Sequence, residues 1–221
     1  MPIDLANLDV WKLVEATYET FYMTLIALVG VLIFGILLGL LLFLTDKGGI
    51  WENRFAYMVT ASIVNVFRAI PFIILILLIF PFTIFIVGTI RGPNAALPAL
   101  IIGGAPFYAR LVEIALREVD QGVIEAAQSM GAKTRTIIFK VLLSESLPAL
   151  ISGLTVTAIA LIGYTAMAGV IGAGGLGNYA YYAGFQRRDF PVVFVCTVLI
   201  IIIVFIFQFI GDYFERKVNK R

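Results

Sequence analysis

Long apolar stretches dominate the pattern along the chain and determine its predicted architecture. Three of them contain no charged residue: residues 21–44 and 148–171, with 24 residues each, and residues 191–211, with 21. A helix needs about 20 residues to cross about 30 Å of hydrocarbon, and a spanning backbone has to satisfy its own hydrogen bonds. The pattern therefore predicts an all-α, polytopic membrane protein.

Two further apolar stretches are less regular. Residues 96–116 carry Arg110 and Glu113, and residues 55–90 are interrupted by Arg68, Pro71 and Pro81. As one helix, the second stretch would be about 54 Å long, which exceeds a single span and is short for two spans with a turn. We expect one span from about residue 55 to residue 80, followed by an irregular segment over residues 81–90. The total is then five transmembrane helices.

The distribution of basic residues predicts the orientation of these spans. With five spans and an external N-terminus, ten basic residues face inward: Lys47, Arg54, Arg117, Lys133, Arg135, Lys140, Arg216, Lys217, Lys220 and Arg221. Four face outward, namely Lys12, Arg91, Arg187 and Arg188. A six-span alternative gives nine inside and five outside. The positive-inside rule therefore favours five spans, with the N-terminus outside and the C-terminus inside.

Composition supports the membrane class and excludes several kinds of chemistry. The chain is 61% hydrophobic and 14% charged, with a mean hydropathy of +1.02. It contains no histidine and one cysteine, Cys196, so zinc, haem and iron–sulfur sites and histidine-dependent catalysis are not expected. We expect no catalytic residue, metal or cofactor, and no nucleic acid as partner. The N-terminus lacks a basic n-region, so the first span is expected to be retained.

The most polar connection is residues 119–147, between the third and fourth spans. Val123, Ala126, Ala127 and Met130 recur at three- and four-residue spacing and predict a short amphipathic helix. Gly131 permits a turn, and a second amphipathic run follows. The loop is thus predicted to form two short helices around a glycine. The alternative is a connector that rests on lipid headgroups.

This loop resembles the cytoplasmic loop of ATP-binding-cassette (ABC) importer permeases. The resemblance rests on Glu125-Ala126-Ala127, then three residues, then Gly131, followed by an apolar Val141-Leu142-Leu143. The family pattern ends in Ile-x-Leu-Pro, whereas this chain has Ser144 in place of the proline. We expect Ser144 to terminate that helix or to cap the next one.

Four further segments resemble methionine importer permeases. They are residues 65–75, 104–110, 163–167 and 172–177, and the similarity extends from about Thr17 to the C-terminus. The resemblance implies a single transmembrane permease domain over residues 1–221, with type I ABC importer architecture, in a bacterial cell membrane. It further implies import of L- and D-methionine or close derivatives by alternating access.

The resemblance also implies partners and site residues. The permease would be a homodimer in the lipid bilayer, joined by a cytoplasmic ATPase dimer that hydrolyses the ATP, and supplied by an extracytoplasmic methionine-binding protein. The coupling contact with the ATPase would comprise Glu125, Ala126, Ala127, Met130 and Gly131.

Candidates for a gate or a solute pathway are Met167, Tyr164, Arg68 and Arg110. Met167 is a flexible apolar side chain suited to closing a pore, although simple packing explains it equally well. A charge at membrane depth costs at least about 2.5–3.5 kcal/mol, so each arginine should face protein, water or an interface. For both arginines we favour a structural role over contact with cargo, with Arg110 paired to Glu113.

Several alternatives remain open at this stage. Glycines over residues 172–177 suit tight packing of an external gate better than nucleotide binding, because no P-loop lysine follows them. The aromatic cluster at residues 179–185 suits an interfacial belt, or the docking of a binding protein. Rival functions are an ABC permease for another small amino acid or solute, and a secondary transporter or channel. An intramembrane enzyme is the weakest candidate.

Overall fold

A computed structural model describes residues 9–219, and every regular element in that range is helical. The longer helices are α1 (Val10–Thr45), α2 (Arg54–Ala69), α5 (Pro93–Arg117), α9 (Leu147–Val170) and α11 (Phe190–Val218). Shorter ones are α3 (Phe72–Leu78), α4 (Phe80–Val87), α6 (Gln121–Ser129), α7 (Thr134–Thr136), α8 (Leu143–Glu145) and α10 (Gly175–Tyr179). Two π-helical turns, Ile137–Leu142 and Ala180–Phe185, complete the fold. Lys220 and Arg221, which entered the charge argument, lie outside the described residues.

Four helices are long and apolar enough to cross a bilayer: α1, α5, α9 and α11. A fifth span is reached when α2 and α3 are counted together, although they meet at an angle of 107°. The all-α membrane fold is therefore confirmed. The second span predicted over residues 55–80 is present as this bent pair and not as one straight helix, because Ile70 before Pro71 takes an extended conformation that a helix cannot continue.

The segment expected to be irregular is also a helix. Residues 81–90 lie largely in α4, which begins with Pro81 in its first turn and ends at Gly88 in a left-handed conformation. Proline is tolerated in the first turn because its missing N–H has no intrahelical partner there, and glycine is the usual helix terminator. The prolines of this region therefore mark the starts of successive short helices.

The bundle is organised around the contact between α1 and α5. Three glycines of α1 admit side chains of α5 to its backbone: Gly30 faces Ile101, Gly35 faces Tyr108 and Gly39 faces Val112. Small residues permit such close approach where both helices are surrounded by lipid. The tyrosine is fully buried, and its hydroxyl donates to the Leu150 carbonyl oxygen on α9, at 3.1 Å. Helix α5 is thus the centre against which α1 and α9 pack.

Contacts between chain segments define two ends of the bundle. At one end, which we call the loop end, Arg117 at the end of α5 binds Asp46 just after α1, and residues 119–147 follow. At the opposite end, the N–H of Gly92 before α5 donates to the carbonyl oxygen of Gly172 after α9, at 3.0 Å. The polar connection and the glycine-rich turn predicted from sequence therefore lie at different ends.

Candidate functional site

The polar connection forms a capped helix whose two ends are set by local residues. Asp120 caps the start of α6 and accepts a hydrogen bond from the Gly122 N–H at 2.7 Å. At the other end, the Gly131 N–H donates to the carbonyl oxygen of Gln128 and the Ala132 N–H to that of Ala127. With φ of +76° at Gly131, this is a Schellman ending. The predicted helix followed by a glycine turn is confirmed.

The apolar positions of α6 do not form one buried stripe, contrary to the sequence prediction. Ala127 is buried, and it packs with Ile124 on the π-helical turn Ile137–Leu142. Ala126 and Glu125 are exposed, Val123 is 44% exposed and Met130 is 82% exposed. The predicted stripe is therefore split: its inner part anchors the helix, and its outer part presents apolar side chains that no described residue covers.

The second half of the loop is a helix widened by one π-turn. Ile137, Ile138 and Leu142 are buried beneath α6. The Ser144 hydroxyl donates to the carbonyl oxygen of Phe139, five residues earlier, at 3.3 Å. The expectation that Ser144 ends this helix or caps the next is wrong. The break falls at Ser146, whose hydroxyl donates to the Leu142 carbonyl oxygen at 2.6 Å, because Pro148 must stand in the first turn of α9.

A cluster of four charged side chains lies where α5 meets the loop end. The Glu113 carboxylate is fully buried, with Arg110 at 2.6 Å and Arg117 at 2.7 Å from its two oxygens. The predicted pairing of Arg110 with Glu113 is confirmed. The Arg117 guanidinium also binds Asp46 at 2.6 Å and so joins α5 to the end of α1.

Asp46 is held in its charged form by this arrangement. Partial burial raises the pKa of its carboxyl, but the backbone N–H of Lys47 and the Arg117 guanidinium outweigh that effect. The pKa of Asp46 therefore lies below its usual value. Local sequence patterns do not reveal this contact, because the two residues are 71 positions apart.

At the opposite end, α9 and α10 approach closely enough to require glycine. A Cβ atom on Gly177 would collide with the backbone of Ala166, and one on Gly169 with the backbone of Asn178. The Glu19 carboxylate and the Thr20 hydroxyl of α1 accept from the N–H groups of Gly175 and Leu176, at 2.6 and 2.9 Å. Met167 lies on α9 beside this turn and is 47% exposed.

Two of the pathway candidates meet at the break between α2 and α3. Arg68, the penultimate residue of α2, and Tyr164 of α9 line one cleft of about 270 Å³. The Tyr164 ring stacks on Phe72, the first residue of α3, with ring centroids 4.5 Å apart. Arg110 and Met167 do not line this cleft, so the four candidates belong to three separate places.

The aromatic cluster lies between α10 and α11 in a π-helical turn. Tyr181 contacts both Tyr182 and Phe185, at centroid distances of 5.1 and 5.9 Å. Arg188 follows with φ of +57°, a left-handed conformation. Within residues 9–219, no three acidic, cysteine or histidine side chains stand close enough to hold a metal ion.

Sequence and structure comparisons place this geometry among known proteins. The model of the binding-protein-dependent transport system inner membrane component family matches residues 31–220. The methionine import system permease protein MetP of Bacillus subtilis is 66% identical, over 97% of each chain. The probable D-methionine transport system permease protein MetI of Pasteurella multocida is 46% identical, over 96% of this chain and 98% of its own length.

A solved structure is similar to the whole arrangement. A chain of the MetNI methionine ABC transporter, in an inward-facing conformation, superposes with a TM-score of 0.94 at 44% identity. The match covers 96% of this chain and 98% of that one. An amino acid ABC transporter crystallised with histidines has the same fold, with a TM-score of 0.81 at 20% identity.

Proposed function

This chain belongs to the binding-protein-dependent transport system inner membrane component family, and from that premise we propose that it is the permease subunit of an ATP-driven methionine importer. The observation that carries the proposal is the 66% identity to a methionine import permease over nearly the full length of both chains. The permease itself performs no covalent chemistry. Its role is to alternate between two conformations while a separate ATPase hydrolyses ATP.

The partners follow from the same premise. Two copies of this chain form the pathway, two ATPase subunits bind at the loop end, and a methionine-binding protein delivers cargo at the opposite end. The loop end is the cytoplasmic one in this proposal, because the described part of that end carries eight of the basic residues: Lys47, Arg54, Arg117, Lys133, Arg135, Lys140, Arg216 and Lys217. This distribution agrees with the positive-inside rule.

Helix α6 is the contact through which the ATPase acts in this proposal. Its inner face, Ile124 and Ala127, is fixed to the rest of the loop, so a force applied to α6 moves the loop as one body. Its outer face combines apolar Val123, Ala126 and Met130 with the Glu125 carboxylate. An exposed apolar helix face with a charge at its side is the form of surface that lies in a groove of a partner.

Two connections carry the displacement of α6 to the spans. Helix α5 ends at Arg117 and α6 begins at Gln121, so only three residues separate them: Glu118, the buried Val119 and the capping Asp120. On the other side, the π-helical turn under α6 continues through α8 and Ser146 into α9. Because Arg117 also binds Asp46, movement of the end of α5 moves the end of α1 with it.

The transport function is tested with the complete complex. The permease, its ATPase and its binding protein are reconstituted in liposomes, and ATP-driven uptake of labelled methionine is compared with that of other amino acids. We expect methionine to be taken up in preference, and uptake to stop without ATP. Preferential uptake of another amino acid would show that methionine is not the cargo. Uptake driven by a proton or sodium gradient alone would overturn the ABC mechanism.

The coupling role of α6 is tested with a pair of charge reversals. Glu125→Arg alters the exposed face of α6, whereas Glu145→Arg alters an equally exposed glutamate in α8 of the same loop. We expect the first variant to lose ATPase association and uptake, and the second to retain both. Equal behaviour of the two variants in co-purification and uptake would contradict the assignment of α6.

A further inference from the structure

A cleft in the spanning region combines one unpaired cation with aromatic walls. It lies at the break between α2 and α3 and measures about 270 Å³. Arg68 supplies the cation, and the walls include Phe67, Phe72, Phe107 and Tyr164. Gly103 of α5 forms part of the floor, where the absence of a side chain leaves room beside Phe72. The cleft is smaller than a typical drug site and suits a small solute.

Arg68 lies far from the loop end, and no carboxylate of the described residues pairs with it. It is 14 residues beyond Arg54, the start of α2, which corresponds to about 21 Å along the helix. That start is fixed at the loop end, since the Asn53 N–H donates to the Thr45 carbonyl oxygen at 3.0 Å. Within residues 9–219 the guanidinium of Arg68 has no ion pair and no hydrogen bond, unlike those of Arg110 and Arg117.

The helix break makes this position suitable for a ligand. A discontinuous helix inside a membrane is tolerated where it lines a cavity, and interrupted spans mark solute sites in other transporters. Here the chain turns by 107° between Arg68 and Phe72, and both residues line the cleft. The Tyr164 hydroxyl has no hydrogen-bond partner in the part of the chain that the structure describes, so it too is available to a ligand.

We propose that this cleft is a binding site for the transported amino acid, with the carboxylate of the solute on Arg68 and its apolar side chain against the aromatic walls. A guanidinium binds a carboxylate through two parallel hydrogen bonds. The ammonium group of the solute donates a hydrogen bond to the Tyr164 hydroxyl oxygen and makes cation–π contacts with the aromatic ring faces. Among the described residues no acidic side chain lines the cleft, so amino acids with cationic side chains are excluded by repulsion from Arg68.

The inference rests on the proposed function, and it adds a contact between permease and cargo. It also changes the interpretation of Arg68, for which the sequence alone favoured a structural role. Arg110 keeps its structural role, because its charge is already neutralised by Glu113.

The test measures binding of labelled methionine to the permease–ATPase complex in nanodiscs, without the binding protein. Methioninol, which has a hydroxymethyl group in place of the carboxylate, and lysine serve as competitors. We expect methioninol to bind roughly 10- to 100-fold more weakly than methionine, because one charge-assisted contact is lost. Lysine should not compete.

Variants test whether the difference in affinity between methionine and methioninol arises in the cleft. Arg68→Gln should weaken methionine binding by a similar factor and abolish the discrimination against methioninol, a result that a purely structural role would not give. Arg54→Gln, at the far end of the same helix, should behave as the unchanged protein. Tyr164→Phe keeps the ring on Phe72, removes the hydroxyl and should weaken binding severalfold, which provides a second measurement if Arg68→Gln does not assemble.

The outcomes separate this inference from the function on which it rests. Unchanged affinity and discrimination in Arg68→Gln would overturn the site. So would the absence of binding to a wild-type complex that still imports methionine in liposomes. A wild-type complex that imports another amino acid and not methionine would overturn the proposed cargo instead, and the binding test would then be made with that amino acid and its alcohol.

Discussion

The packing of α1 on α5 makes a quantitative prediction at Gly39. A Cβ atom added there would lie 2.6 Å from both Cβ and Cγ1 of Val112 and 2.7 Å from the Ala109 carbonyl oxygen. Ordinary contacts begin at 3.4 Å, so the two helices would have to separate locally by 0.8 Å, the difference between 3.4 and 2.6 Å. Neither neighbour is the flexible end of a long side chain, so the separation has to come from the backbones.

The expected cost follows from this overlap. Overpacking of a well-packed contact costs about 1–3 kcal/mol. Alanine gains about 1 kcal/mol over glycine inside a helix, which offsets part of that cost in Gly39→Ala. The matched control is Gly163→Ala on α9, where no atom of residues 9–219 outside the local helix backbone lies within 4 Å of the added methyl. It receives the same propensity gain without the overlap, so the difference between the variants isolates the packing term.

Thermal unfolding of the two variants in detergent measures this difference. For a chain of this length, 1 kcal/mol corresponds to about 2–4 °C in Tm, so Gly39→Ala should unfold roughly 2–12 °C below Gly163→Ala. Gly30→Ala should fall between them, because its added methyl meets the flexible end of Ile101. If Gly39→Ala and Gly163→Ala have the same Tm, the close contact between α1 and α5 does not exist as described.

Three further predictions concern the loop, the charge cluster and the gate. Gly131→Ala should reduce uptake and expose the loop to protease, because a left-handed φ costs a Cβ-bearing residue about 1–2 kcal/mol. Gly131→Asn should remain near wild type, because asparagine tolerates that conformation. Equal effects of the two substitutions would contradict the Schellman ending. Glu113→Gln should destabilise the protein by roughly 1.5–3 kcal/mol in thermal unfolding, because hydrogen bonds to charged groups are lost while both arginines stay partly exposed. Asp46→Asn should cost no more than about 1 kcal/mol, and the reverse order would show that the buried carboxylate is not the centre of the cluster. Met167→Ala should raise basal ATPase activity or solute leak in liposomes, and no change in either would count against a gate role.

Sequence patterns predicted the spans well where one physical requirement decides the outcome. The apolar lengths around α1, α9 and α11 are set by bilayer thickness, and no tertiary contact was needed to recognise them. Gly131 was also predictable, because a helix that ends in a left-handed turn needs glycine.

The remainder depended on contacts between distant segments. Pro71 indicated an interruption, but the 107° turn also depends on Phe72 packing against Tyr164 and beside Gly103. The pattern of α6 identified its apolar positions without showing which of them face the π-helical turn. The contact between Asp46 and Arg117 joins residues 71 positions apart, and local periodicity carries no information about it.

The hydrogen bonds from Gly175 and Leu176 to Glu19 and Thr20 have a consequence for biosynthesis. Each joins residues 156 positions apart, so α1 waits for the synthesis of 156 further residues before these two side chains find their donors. At about 5–20 residues per second, that interval is roughly 8–30 s. Throughout it the Glu19 carboxylate lacks its donor from Gly175, while the Thr20 hydroxyl keeps only its donation to the Ala16 carbonyl oxygen within α1. A nascent chain that stalls before residue 175 therefore keeps its first described helix without the two hydrogen bonds that join it to α10 in the finished fold.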